Sequence, residues 1–145
     1  MPENAFDWDE YLTLARNLVD LVSGEASVRA SASRAYYAAY WKARLILEAH
    51  PVPIPRANIH KFVWQAFLNS WNEDGASIGK LGEALKSFRV KADYYAFPSM
   101  AKSDAEIAVA NAESLIDDLD RISERDRAAT ISRAADLLKL PEYQP

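Results

Sequence analysis

SRAYYAAYWKARLILEA (33–49) decides the fold. Wound as a helix, this stretch is apolar nearly all round, and it carries Tyr36, Tyr37, Tyr40 and Trp41 within two turns. A helix with no broad polar face belongs at the centre of a bundle. The stretch therefore predicts a long, buried central helix over about 26–49. It ends at PVPIP (51–55), where proline removes backbone donors and restricts the residue before it.

Elements on either side follow by the same reasoning. Upstream, Leu12, Ala15, Leu18, Val19 and Val22 form the stripe of a first helix, with Asp7 or Asp9 as its cap and Gly24 as its stop. Downstream, Asn58 reads as the N-cap of IHKFVWQAFLNSW (59–71), where Trp64, Phe67 and Trp71 recur at helical spacing as core or interface. NEDGAS (72–77) reads as a break. A fourth helix then runs over about 78–97 with Leu81, Leu85 and Phe88 inward, stopped by Pro98. Ser103, with Glu106 three residues on, has capping-box spacing. It opens a fifth helix striped by Ile107, Ala110, Ala112, Leu115, Ile116 and Leu119. DRAATISRAADLLKL (126–140) is a sixth, amphipathic segment. No period-two strand pattern occurs. Short connections between helices predict antiparallel packing, so the expected fold is all-α: an up-and-down bundle of four to five helices with an additional short C-terminal helix.

A chain of 145 residues, half of them hydrophobic, suits a single domain with a real core. The four glycines are scattered, so no phosphate-cradling loop is present. With no cysteine, disulfides, thiolate catalysis and thiolate metal sites are excluded. His50 and His60 lack metal-ligand spacing, and no Glu-x-x-His or nucleophile-elbow motif occurs; no metal or cofactor is expected. A net charge of −4 argues against broad neutralisation of duplex phosphates. There is no apolar signal core and no membrane-length apolar run, so a cytoplasmic protein without membrane contact is expected.

Candidate chemistry gathers in SFRVKADYYAF (87–97). Arg89 and Asp93 lie four apart, on one helical face, among Phe88, Tyr94, Tyr95 and Phe97. One reading is a carboxylate that aims a guanidinium fork at an anion; the other is an intrahelical ion pair that braces the bundle. The surrounding aromatics suggest a half-buried face. His60, in the first turn of its helix, reads as a neutral imidazole that is either a general base or bonded to a loop carbonyl. Tyr36, Tyr37, Tyr40 and Trp41, with Arg44 a turn on, are either core and interface or a base-stacking surface. Ser33 and Arg34 stand at the rim of this group. LIDDLDRISERDR (115–127) reads as a solvated charged face.

Three segments in order carry a family likeness. SRAYYAAYWKARLIL (33–47) resembles the signature helix of HEPN-domain proteins of prokaryotic toxin–antitoxin and defence systems. IHKFVWQAF (59–67) is similar to that family's third-helix segment, and RVKADY (89–94) to the Arg-x-x-Ala-Asp-Tyr element of one HEPN subgroup. The likeness covers roughly 8–122, leaving a C-terminal helix and tail over 123–145. It implies a bundle that forms a homodimer and binds RNA or nucleotides. Many members are metal-independent endoribonucleases; others are non-catalytic modules partnering a minimal nucleotidyltransferase or another protein. On this pattern Arg89 would contact phosphate and Asp93 would orient it. His60 and Tyr94 would line the cleft, with Ser33, Arg34 and Tyr37 at its edge. The chain departs from the ribonuclease pattern at one point. No histidine follows Arg89; Tyr94 and Tyr95 occupy that region, and a phenol of pKa ~10 is a poor base at neutral pH. His60 would have to replace the histidine from another helix. Tyr94 or Tyr95 is also a candidate acceptor for nucleotide transfer.

Overall fold

The computed structural model describes residues 5–50, 52–68 and 73–144. Six helices follow in order: α1 (Asp9–Leu21), α2 (Glu25–Glu48), α3 (Ile59–Phe67), α4 (Glu73–Tyr94), α5 (Lys102–Asp120) and α6 (Glu124–Leu137), then a 3₁₀ turn at Pro141–Tyr143. No strand occurs among the described residues. The fold is the all-α bundle expected, with the short C-terminal helix in place.

The 33–49 stretch does sit at the centre. α2 packs against α1, α4 and α5, whereas α3 packs on α4 and α6. Its small residues, Ala32, Ala35, Ala38, Ala39 and Ala43, are fully buried, which lets neighbouring helices approach closely. The larger core side chains, Tyr36, Phe62, Trp64, Phe67, Ile78, Leu85 and Leu115, are also fully buried. Each such large apolar side chain contributes roughly 1.5–3 kcal/mol through removal from water.

Several boundaries differ from the sequence reading, each for a local reason. Gly24 does not terminate α1; Val22 does, and Gly24 (φ 106°) opens α2 in a conformation unfavourable to other residues. Asp7 caps from outside α1, its Oδ1 accepting the Asp9 N–H at 3.0 Å. Asn58 is left-handed (φ 55°) and its side chain does not cap α3; it donates instead to the Glu142 carbonyl at 2.9 Å. α3 is Ile59–Phe67, and Trp71, expected on it, lies outside the described residues. α4 begins at Glu73, within the expected break. It stops at Tyr94, because the residue before Pro98 disfavours helix and the final carbonyls find a different donor, Arg29. α5 is opened by Ala101, not Ser103, and the Asp104 carboxylate, rather than Glu106, accepts the Ala101 N–H at 2.8 Å. Ile107 and Ala110 face outward, and Ala105, Ala108, Ala112, Leu115, Ile116 and Leu119 line the core. Ser123 caps α6 by accepting the Asp126 N–H at 3.1 Å. Most of the 115–127 charges are at the surface, with Asp126 buried.

Candidate functional site

α2 and α4 run antiparallel, and their contact defines the site. On α2, Arg29, Ser33 and Tyr37 fall one turn apart along one face. They meet, in that order, the end of α4, then Asp93, then Arg89. The helical spacing of one element is thereby copied onto the other in reverse.

Arg89 is the centre of this seam. Its Nε donates to Asp93 Oδ2 at 2.9 Å and its Nη2 to the Tyr94 hydroxyl at 3.3 Å. The guanidinium lies over the rings of Tyr37 (5.1 Å to the centroid) and Tyr94 (5.3 Å). Asp93 Oδ2 also accepts the Ser33 hydroxyl at 3.2 Å, so the carboxylate is fixed from both helices. The Arg89 side chain is 16 % exposed and the Asp93 side chain 29 %. Among the described residues, Arg89 Nη1 has no hydrogen-bond partner. The half-buried face expected here holds for Arg89 and Phe88, but Tyr94, Tyr95 and Phe97 are exposed at 66, 53 and 87 %. Phe97 lies beyond the helix end.

Arg34 stands beside this group. It lies over both Tyr11 (4.9 Å) and Tyr37 (5.4 Å), and its Nη2 reaches the Ser33 hydroxyl at 3.5 Å. Tyr37 is thus flanked by two guanidinium groups. Such face-on contacts are worth about 0.5–2 kcal/mol each, depending on desolvation.

His60 enters from α3 edge-on to Tyr37, with ring centroids 6.0 Å apart. Among the described residues it bonds no loop carbonyl. Its Nδ1 is 2.7 Å from the Tyr36 hydroxyl, which also accepts the Trp64 Nε1–H at 3.0 Å. An indole nitrogen only donates, and among the described residues the Tyr36 hydroxyl has no acceptor other than His60 Nδ1, so we assign the phenol proton to that bond. In this assignment Nδ1 accepts and Nε2 carries the proton. Burial, followed by the positive charges of Arg89, Lys86 and Arg44, lowers the His60 pKa to about 4. Burial pushes the Tyr36 hydroxyl far above its ordinary range. His60 is therefore neutral at pH 7, and in the assigned tautomer its accepting nitrogen is the one engaged by Tyr36.

The aromatic residues of α2 divide by environment. Tyr36 and Tyr40 are core residues, with Tyr40 stacked on His60 at 4.3 Å. Trp41 is sandwiched between Trp8, stacked at 4.5 Å, and the Arg44 guanidinium at 4.6 Å. Tyr37 alone of the four reaches the seam with Arg89. The seven residues singled out in the sequence, Ser33, Arg34, Tyr37, His60, Arg89, Asp93 and Tyr94, thus lie in one contiguous patch. Missed were the bond between Tyr36 and His60, Lys86, which adds positive charge, and Arg29. A cavity of about 440 Å³ lies elsewhere, at the α1–α2 corner beside Met100. Among the described residues there is no cluster of three potential metal ligands, and no helix is long and apolar enough to cross a membrane. Comparison of the chain with protein-family models, with curated proteins and with solved structures finds no match.

Proposed function

We propose that the chain is a HEPN-like protein that binds RNA or a nucleotide through phosphate at the α2–α4 seam and does not cleave it. The observation that carries this reading is the Arg89 fork. Asp93 and Tyr94 hold one edge, Tyr37 supports its face, and Nη1 lacks a partner among the described residues. A guanidinium held in this way is preorganised for a tetrahedral oxyanion. Arg34 and Lys86 add positive charge nearby, which opposes the acidic balance of the whole chain locally. Binding is favoured over cleavage by His60. A metal-independent ribonuclease needs a base to take the 2′-hydroxyl proton, and in the tautomer assigned here the accepting nitrogen is engaged by the Tyr36 hydroxyl.

The test uses purified protein, chelator and a fluorescein-labelled single-stranded RNA. Anisotropy is expected to show saturable binding that Arg89→Ala weakens about tenfold or more. Gel analysis is expected to show intact RNA. Absence of binding, or binding indifferent to the substitution, overturns the reading. Arg89-dependent cleavage would instead establish the endoribonuclease alternative, in a toxin–antitoxin or defence setting.

A second reading is favoured by one observation: the exposed rings of Tyr94, Tyr95 and Phe97 beside the seam. Aromatic residues of this kind anchor protein interfaces. On this reading the chain is a non-catalytic interaction module that engages a nucleotidyltransferase-type partner or a second copy of itself. Sedimentation velocity of the wild type against Tyr95→Ala/Phe97→Ala separates self-association from the monomer.

A further inference from the structure

Arg29 was invisible as a site residue because none of its distant partners is a side chain. From α2 it spans to the C-terminal end of α4. Its Nη1 lies 2.9 Å from the Lys91 carbonyl, 3.1 Å from that of Ala92 and 2.6 Å from that of Tyr95; its Nη2 lies 3.4 Å from that of Pro98. Its Nε donates to Glu25 at 2.7 Å, one turn earlier on α2. The side chain is 18 % exposed.

The final carbonyls of a helix have no intrahelical donors, and a cation there also suits the helix dipole. Arg29 supplies both, but its reach goes further than a local cap. It ties the last turn of α4 to the 95–98 segment and fixes both against α2. That last turn carries Asp93 and Tyr94, the two residues that hold the Arg89 fork. Ser33, one turn after Arg29, grips the Asp93 carboxylate itself. Two successive turns of α2 therefore fix the backbone and then the side chain of the same turn of α4.

We propose that Arg29 is a positioning residue: it clamps the last turn of α4 so that Asp93 and Tyr94 meet Arg89 and hold its guanidinium in the orientation that receives phosphate. The inference rests on the reading of Arg89 as the anion contact, but its central claim concerns geometry and can be tested without a ligand. Lysine at position 29 keeps the charge at the helix end yet cannot span carbonyls from Lys91 to Pro98. Glutamine removes the charge.

The experiment records arginine Nε–Hε NMR cross-peaks of the full chain for wild type, Arg29→Lys and Arg29→Gln. The Arg89 peak is assigned by its disappearance in Arg89→Lys. In both Arg29 variants the Arg89 Nε–H is expected to lose its hydrogen-bonded shift and slow exchange, although Arg29→Lys retains a melting temperature close to wild type. A purely structural role would make the loss follow the melting temperature. Should Arg29→Gln fail to fold, Arg29→Lys decides the matter. An unchanged Arg89 peak in a folded variant overturns the proposal.

Binding of the labelled RNA supplies the functional arm. Arg29→Lys is expected to weaken it about tenfold in the wild-type background and less than about twofold in Asp93→Asn, because the two residues act through one contact. Equal weakening in both backgrounds would overturn the proposed route through Asp93. If wild type binds no RNA, the phosphate reading fails while the NMR result still decides what Arg29 does.

Discussion

At the residue scale, the seam depends on protons and charges whose states are set by burial. His60 has a folded-state pKa of about 4 against about 6.5 in the unfolded chain. Between those values the unfolded chain binds more protons, so this residue makes stability rise with pH from about 4 to 6.5 and then level off. Urea unfolding of wild type at pH 5 and pH 7 is expected to show a loss at the lower pH that exceeds the loss in His60→Asn. The asparagine amide oxygen can still accept from Tyr36 but cannot titrate. An identical pH dependence in both proteins would show that His60 is not held neutral by the fold. The arginine–aspartate pair was legible at this scale because four-residue spacing on a helix is a local property. The Tyr36–His60 bond was not, since it joins residues 24 apart on different helices.

At the element scale, α4 is where sequence and structure part most. The break expected over 72–77 is helical from Glu73, and Gly79 and Gly82, within the helix as expected, serve as contact surface for α3. A Cβ on Gly82 would fall 2.1 Å from the Trp64 ring, and one on Gly79 would fall 2.6 Å from the Leu68 side chain. Glycine costs a helix about 1 kcal/mol relative to alanine. Here that cost is outweighed by the close approach that lets the fully buried Trp64 pack and donate to Tyr36. Gly82→Ala is accordingly expected to destabilise the protein by about 1–3 kcal/mol, despite its better helix propensity, as read from the urea midpoint. A stabilised variant would mean that α3 does not press on this face. Propensity reads glycine as a helix breaker; only the neighbouring helix reveals it as a gap to be filled.

At the scale of the whole molecule, the C-terminal segment closes the bundle over α3. Tyr143 is 3 % exposed and meets Phe62 edge-on at 5.3 Å. Glu142 accepts from Lys61 at 2.6 Å, while its carbonyl accepts from Asn58. The tail is therefore part of the core that carries His60. Tyr143→Ala is expected to cost about 3 kcal/mol in urea unfolding. Tyr143→Phe should be neutral within about 0.5 kcal/mol or stabilising, because the Tyr143 hydroxyl is buried without a hydrogen-bond partner among the described residues. A phenylalanine variant as damaged as the alanine one would mean that the hydroxyl is bonded. Taken alone, the sequence determined the helical class, the central place of 33–49 and the pairing of Arg89 with Asp93 on one helical face. Those follow from periodicity and side-chain type, which are written locally in the chain. Packing decided the remainder: the hydrogen-bond partner of His60, the division of the α2 aromatics between core and seam, and the grip of Arg29 on carbonyls 62 to 69 residues away. Every backbone carbonyl offers the same acceptor whatever its residue type, so no pattern of letters marks the one that a distant arginine will find.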